Sequence, residues 1–292
     1  MRLAFLGSPD FAVPVLDDLL DAGHDVEIVV TRPDRPRGRG RVLTPTPVSA
    51  AAVSRGLEVA TDLDALATSD VELGVVVAYG ELVPPRILER APLLNVHFSL
   101  LPRWRGAAPV ERAILEGDER TGVSIMALEA SLDTGPLYAT AETAVDDKSL
   151  GELRAELVAL GSGLLVGLLA GGLASLPVPV PQQGEPTYAR KVTDAECELD
   201  FTRAATELAR VVRLGRARTF VGERRLGILE AIALEGAFGE PGSFANGVVA
   251  CGTGGLALRT VVPEGRRAMT PEAWARGLRQ GAPSRLGRVT YP

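Results

Sequence analysis

Apolar positions in the first half of the chain recur with two periods, and the switching between them outlines a layered α/β fold. "RLAFLG" is a short apolar run closed by a glycine, and "DVEIVVT" is a second run rich in β-branched residues. Between them, "FAVPVLDDLLDAG" sets Phe11, Val15, Leu16, Leu19 and Leu20 on one helical face, with Gly23 as the stop signal. Strand, helix and strand at this spacing predict a parallel βαβ unit. A second helix is expected over 48–55. "ELGVVVAYG" is continuously apolar, as a strand covered on both faces must be. "LLNVHFS" predicts another strand, and "TGVSIMALEASLDTGPLYATAETAV" predicts two strands around a turn at 132–135. A long helix follows over 149–169, where Ser149 and Glu152 form a partial capping signature.

The pattern then breaks. "LPVPVPQQGEPTYARK" carries four prolines within 176–186 and neither period, which marks a linker. After it come a short amphipathic helix, "AATELARVVRLG", and short strands punctuated by Gly, Asn and Pro, which predict a small β-barrel or sandwich. A length of 292 residues accommodates two domains. The division expected is 1–176, a linker over 177–193, and 194–292.

Composition and charge narrow the class. With 46% hydrophobic and 4% aromatic residues, the core is built mainly from Ala, Val and Leu. Cys197 and Cys251 are the two cysteines, which excludes a disulfide framework and leaves no metal-ligand spacing. The first apolar run is too short for a signal peptide, and no window reaches the roughly 18 apolar residues of a spanning helix. No metal and no membrane association are expected, and a soluble cytoplasmic protein is. The net charge of −6 divides into −11 over residues 1–187 and +5 over residues 188–292. A basic C-terminal part fits a polyanionic partner; ordinary solvated surface charge fits the same numbers equally well.

The first loop, "GSPDFA" (residues 7–12), holds a single glycine, so the G-x-G-x-x-G fingerprint of dinucleotide binding is absent. Ligands of doubly wound sheets bind beyond the carboxyl ends of the strands, where "VVVAYG" and "NVHFS" supply candidate loops. Residues i, i+2 and i+4 of a strand share a face, so Asn95, His97 and Ser99 project together. An amide donor can stabilise an oxyanion and an imidazole can move a proton near neutral pH. The competing reading is a core histidine satisfied by a backbone carbonyl. A histidine base works best beside a carboxylate, and Asp133 in "SLDTGP" is the best candidate, although an aspartate there also suits a turn that caps its own backbone. Finally, "TRPDRPRGRGRVLTPTPV" packs Arg32, Arg35, Arg37, Arg39 and Arg41 into ten residues beside one acid, with glycine and proline opposing regular structure. It reads as a phosphate-contacting loop or as an exposed solvated one.

Taken together, "FLGSPDFAVPVLDDLL", the arginine segment, "VVVAYGELVP", "NVHFSLLPRWRGAAPVERAILEGDERTGVSIM", "LDTGPLY" and "PTYARKVTDAE" strongly resemble the methionyl-tRNA formyltransferase family. The resemblance runs in order over residues 1–145 and continues more weakly beyond. It implies a Rossmann-like, mostly parallel sheet with helices on both faces, followed by a smaller OB-type β-barrel domain. It implies 10-formyltetrahydrofolate as co-substrate, methionyl-initiator tRNA as partner, and a monomer. By the same resemblance Asn95, His97 and Asp133 are catalytic, Ser99, Leu100, Leu101 and Pro102 contact the folate, and the segment from Arg32 to Thr44 meets the acceptor end of the tRNA. Phe98 departs from the family, which usually has a small residue there. Two rivals differ in class: a formyltransferase acting on a nucleotide-linked amino sugar, and a catalytically silent RNA-binding protein. The arginine segment weighs against the first, and the intact Asn95, His97 and Asp133 against the second.

Overall fold

Leu3, Ala4, Phe5 and Leu6 are each fully buried, so the first strand gives both of its faces to the interior. The computed structural model describes residues 1–37, 40, 42–278 and 283–288. The chain forms two units, one of Met1–Val110, Arg120–Ala144 and Leu153–Arg190, the other of Glu111–Glu119, Val145–Glu152 and Lys191–Pro292.

The first unit begins with β1 (Arg2–Gly7), α1 (Val13–Asp21) and β2 (Asp25–Val30). Next come β3 (Arg35–Arg37), β4 (Val42–Thr44), α2 (Pro47–Ser54), β5 (Glu58–Ala60), α3 (Ala65–Thr68) and β6 (Leu73–Val77). Then follow α4 (Pro85–Leu88), β7 (Leu93–His97), β8 (Arg105–Gly106), β9 (Arg120–Ala127) and β10 (Leu137–Ala144), with α5 (Pro109–Glu116), between β8 and β9 in the chain, falling from Glu111 onward in the second unit. The long α6 (Leu150–Leu169) and the short β11 (Tyr188–Ala189) complete the series. Seven strands form one sheet in the order β10-β9-β7-β6-β1-β2-β5. β1, β2, β5, β6 and β7 pair in parallel, while β9 runs antiparallel to both β7 and β10. The parallel βαβ unit predicted from the apolar runs and the mostly parallel sheet that the resemblance implies are both present.

Helices cover both faces. Ala4, Leu6, Ile28, Val30 and Val76 pack with Leu66 of α3 and Ile87 of α4 on one side. On the other, Gly161 of α6 sits directly on Val96 and Val123. The partial signature at the start of α6 is a complete capping box: Ser149 N–H and hydroxyl donate to Glu152, and Glu152 N–H donates back to Ser149 Oγ.

Two segments are more ordered than their composition predicts. Within the arginine segment, β3 and β4 pair as a hairpin with Arg35 opposite Thr44 and Pro36 opposite Leu43. Pro36 lacks an N–H, which a two-stranded ribbon tolerates because each strand keeps an open edge. The proline-rich stretch belongs to the first unit as far as Arg190. Val180 exchanges two 2.8 Å backbone hydrogen bonds with Leu137, and β11 pairs in parallel with β8.

The second unit holds α7 (Ala205–Arg213), β12 (Ala217–Val221), β13 (Arg224–Leu234), β14 (Phe244–Ala245), β15 (Val248–Ala250), β16 (Gly255–Pro263) and α8 (Pro271–Arg276). Its five strands are antiparallel in the order β12-β13-β16-β15-β14. Residues 284–287 bond to both edges. Phe244 N–H donates to Ser284 and Leu286 N–H to Gly242, both at 2.8 Å, and Gly287 N–H donates to Phe220 at 2.9 Å. This curls the sheet into the small barrel the sequence predicts. Leu208, Val211 and Val212 of α7 fill it against Ile228, Val249, Leu256 and Val261. Cys197 and Cys251 are free and buried, and burial raises both thiols, that of Cys251 to about 11. Among the described residues no helix is long and apolar enough to cross a membrane.

One partly buried ion pair anchors this unit. Arg112 Nη1 donates to Glu196 Oε1 at 2.8 Å, with the arginine side chain only 7% exposed. Arg112 holds the Glu196 carboxyl well below its ordinary 4.5, against the opposing effect of burial. A depressed carboxyl stabilises the fold above its unfolded value, and the contribution disappears as pH falls. Arg112→Met is expected to lower the opening free energy of the turn at Ala195–Cys197, read by hydrogen exchange at pH 7, by about 2 kcal/mol. The gap between variant and wild type should narrow once pH drops below 4.5; a gap that stays constant in acid contradicts the assignment.

Candidate active site

The strand order reverses at β1, which lies between β2 and β6. In such sheets the crevice for a ligand opens beyond the carboxyl ends of the strands at that reversal. Ser8, just past β1, ties three chain segments together there. Its hydroxyl donates to the Tyr79 carbonyl and accepts from Arg32 N–H, both at 3.2 Å. Tyr79 is buried, and burial, reinforced by Glu81, raises its phenol to about 12. Arg32 reaches the loop after β6, with Nη1 at 2.9 Å from Glu81 Oε1 and 3.0 Å from the Gly80 carbonyl. Arg32 is thus committed to its own fold, unlike Arg35, which is exposed on β3. Arg37 ends β3, and Arg39 and Arg41 lie outside the described residues.

Asn95 and His97 lie on β7, next to β6 in the sheet, and Asp133 comes from the turn between β9 and β10. The three side chains meet: Asn95 Nδ2 donates to Asp133 Oδ1 at 3.5 Å, and His97 Nδ1 lies 3.7 Å from Asp133 Oδ2. Asn95, His97 and Asp133 are 9%, 6% and 7% exposed. His97 Nε2 is 2.9 Å from the Trp104 carbonyl. A carbonyl only accepts, so Nε2 carries the proton of the neutral ring and Nδ1 is the basic nitrogen. The reading of a histidine satisfied by a backbone carbonyl holds at Nε2, and Nδ1 is left facing Asp133. Asp133 does not select the tautomer; the Trp104 carbonyl does, and Asp133 faces the nitrogen that can gain a proton.

The strand stops at His97, so the alternation covers Asn95 and His97 but not Ser99. Ser99 N–H turns back onto the His97 carbonyl at 3.0 Å. Its hydroxyl donates to the Arg103 carbonyl at 2.6 Å, and the residue is fully buried. Ser124 of β9 then holds both ends of the turn, donating to the Ser99 carbonyl and accepting from Leu101 N–H. Leu101 is buried, Leu100 is partly exposed, and Pro102 follows a cis peptide bond. Phe98 points to the opposite side, edge-on to Phe11 with ring centroids 5.8 Å apart. This unexpected residue therefore packs behind the strand.

Residues that sequence reasoning misses complete the site. Trp104 has left-handed backbone (φ 62°), and Thr187 Oγ1 accepts its N–H at 2.9 Å. Asp133 is also left-handed (φ 52°), and its Oδ2 accepts Gly106 N–H at 2.8 Å. Gly106 itself has φ 116°, which a side chain would strain. The Gln182 amide donates to the Asp133 and Gly135 carbonyls at 2.8 and 2.9 Å. None of these carries a motif. The nearest signal is "PRWRGAAP", which holds Trp104 and Gly106.

Comparison with known proteins identifies the family. The formyl transferase model matches residues 1–167, and the model of the formyl transferase C-terminal domain matches residues 191–279. A methionyl-tRNA formyltransferase of Novosphingobium aromaticivorans is 47% identical, covering 98% of this chain and 100% of the relative. One from Rhizorhabdus wittichii is 44% identical over 95% of each chain. Among solved structures, an N-formyltransferase of Helicobacter canadensis in complex with folinic acid and dTDP-3-aminofucose superposes with a TM-score of 0.67. It is 14% identical and covers 88% of this chain and 99% of its own. Methionyl-tRNA formyltransferase from Clostridium thermocellum gives a TM-score of 0.57 at 14% identity, covering 92% and 99%. At those identities the solved structures speak to the fold, whereas identity above 40% along nearly the whole chain speaks to descent: the chain belongs to the methionyl-tRNA formyltransferase family.

Proposed function

We propose that this protein transfers the formyl group of 10-formyltetrahydrofolate to the amino group of methionyl-initiator tRNA, in the cytoplasm. The observation that carries the reading is the meeting of an amide donor, an imidazole with a bare Nδ1 and a carboxylate at one strand end, in a chain of this family. The methionyl amine attacks the formyl carbon, forming the new C–N bond while the carbonyl electrons move onto oxygen. Asn95 Nδ2, which carries two hydrogens, donates to that oxyanion. His97 Nδ1 takes a proton from the attacking nitrogen, and Asp133 stabilises the imidazolium so formed. The bond to folate N10 then breaks, and the proton passes to N10, releasing tetrahydrofolate. The turn of Ser99, Leu100, Leu101 and Pro102 walls the folate site, with Ser99 acting through its hold on the turn. Arg35, Arg37, Arg39 and Arg41 meet tRNA phosphates, and the basic C-terminal part, residues 188–292, holds the tRNA body.

Formylmethionyl-tRNA is the expected product when the protein is incubated with 10-formyltetrahydrofolate and charged initiator tRNA. Formylation of a nucleotide-linked amino sugar instead, with none of the tRNA, rejects the assignment. His97→Ala should lower kcat by about 10²–10⁴ and Asn95→Ala by about 10²–10³, with folate affinity little changed. Unaffected turnover in either variant removes that side chain from the chemistry. Replacing Arg35, Arg37, Arg39 and Arg41 together with Ala should raise KM for tRNA and flatten its salt dependence by about 0.7–0.9 log units per log salt for every phosphate left without its arginine. An unchanged salt slope shows that the segment does not touch phosphate.

A further inference from the structure

The carboxylate at the site sits on backbone that would not hold itself. Asp133 has φ 52°, a left-handed conformation that is unfavourable for a residue with a side chain. Gly135, two residues on, lies so close to the Ala127 carbonyl that a Cβ would come within 1.9 Å of it. The capping partner expected of such an aspartate, its own backbone, is not used: its carboxylate oxygens face Gly106, Asn95 and His97. The peptide carbonyls of the turn are instead held from outside by one side chain, in the proline-rich stretch.

That side chain is Gln182. Its Nε2 donates both hydrogens, to the Asp133 carbonyl at 2.8 Å and to the Gly135 carbonyl at 2.9 Å. Its Oε1 accepts from Arg105 Nε at 3.1 Å and Nη2 at 2.6 Å. All four hydrogen-bonding positions of the amide are filled. A guanidinium only donates and a carbonyl only accepts, so the amide has a single workable orientation. Arg105 is followed by Gly106, whose N–H binds the Asp133 carboxylate at 2.8 Å. The strand Arg105–Gly106 thus grips Asp133 at two levels, the carboxylate directly and the backbone through Gln182.

We propose that Gln182 is a positioning residue for formyl transfer: with Arg105 behind it, it sets the distance between Asp133 and His97 Nδ1. The proposal rests on the assignment of Asp133 to the chemistry. The separation in question is 3.7 Å, just beyond hydrogen-bond reach, so a small movement of the turn decides whether the carboxylate supports the charged imidazole. Glutamine is suited to the task because it donates twice and accepts twice without adding charge beside Asp133.

The test compares Gln182→Glu, which keeps the acceptor for Arg105 but loses both donors, with Gln182→Met, which keeps shape and loses all four bonds. Both should lower kcat by about 10- to 100-fold, with KM for 10-formyltetrahydrofolate and for charged tRNA within about threefold and far-ultraviolet circular dichroism unchanged. Asp133→Asn is assayed alone and combined with each variant. In the combined variants the Gln182 effect should vanish, because the carboxylate it orients is gone. Wild-type kcat in both Gln182 variants overturns the proposal. So does a loss that multiplies fully with that of Asp133→Asn, or one that appears equally in KM and in the folded fraction. If Asp133→Asn alone retains wild-type kcat, the assignment of Asp133 itself is what fails.

Discussion

The hydrogen bond between His97 Nε2 and the Trp104 carbonyl, 2.9 Å long, decides which imidazole nitrogen is left without a proton and faces Asp133. Because a carbonyl has no proton to give, the neutral ring has one tautomer, and its basic nitrogen looks toward Asp133. The bond depends in turn on the chain reversing between Ser99 and Trp104. Ser99 supports that reversal through the Arg103 carbonyl, and Thr187 supports it through Trp104 N–H. A left-handed backbone at a bulky buried tryptophan is disfavoured on its own, so the surrounding contacts must over-determine it. Strain held in this way is characteristic of functional sites.

The site is consequently built from two kinds of support. Asn95 and His97 ride on a strand paired on both sides, Asn95 opposite Val76 and Met126, and His97 opposite Ser124. Their backbone positions are fixed by the sheet ladder. Asp133 lies on a turn, outside any ladder, and relies on side-chain and backbone donors from β8 and the proline-rich stretch. Groups on strands are placed more exactingly than groups on loops, which explains why the turn carries the denser set of outside hydrogen bonds. Phe98 fits this division, since it lies against Phe11 on the other side of the strand and leaves to Asn95 and His97 the face that meets Asp133.

The elements that pack on both sides were legible because their periodicity is a direct consequence of burial. β1, β6 and α1 follow this rule, and β7 follows it as far as His97. Asn95 and His97 were legible for the same reason, as alternate polar positions inside an apolar strand. Period-two reasoning places Ser99 on the same face because it assumes the strand continues, whereas a backbone bond from Ser99 to His97 ends it. The hairpin of β3 and β4 was hidden because glycine and proline mark turns without revealing whether the flanks pair. Gln182 and Thr187 were invisible for a different reason. They bind backbone atoms 49 and 83 residues away in sequence, and such bonds leave no pattern in residue type at either end.

The arginine segment separates sequence from site in one more way. Read as a run, Arg32 to Arg41 is a single patch of like charge. In the fold its first member pairs with Glu81 and the Gly80 carbonyl and has its own N–H on Ser8. An arginine so engaged would have to give up an ion pair and a carbonyl contact to bind phosphate, and the gain would be reduced accordingly. Arg35, exposed on β3, bears no such cost. Arg32 therefore belongs with the anchoring elements at the strand reversal, beside Ser8 and Tyr79. It fixes where the segment leaves the crevice.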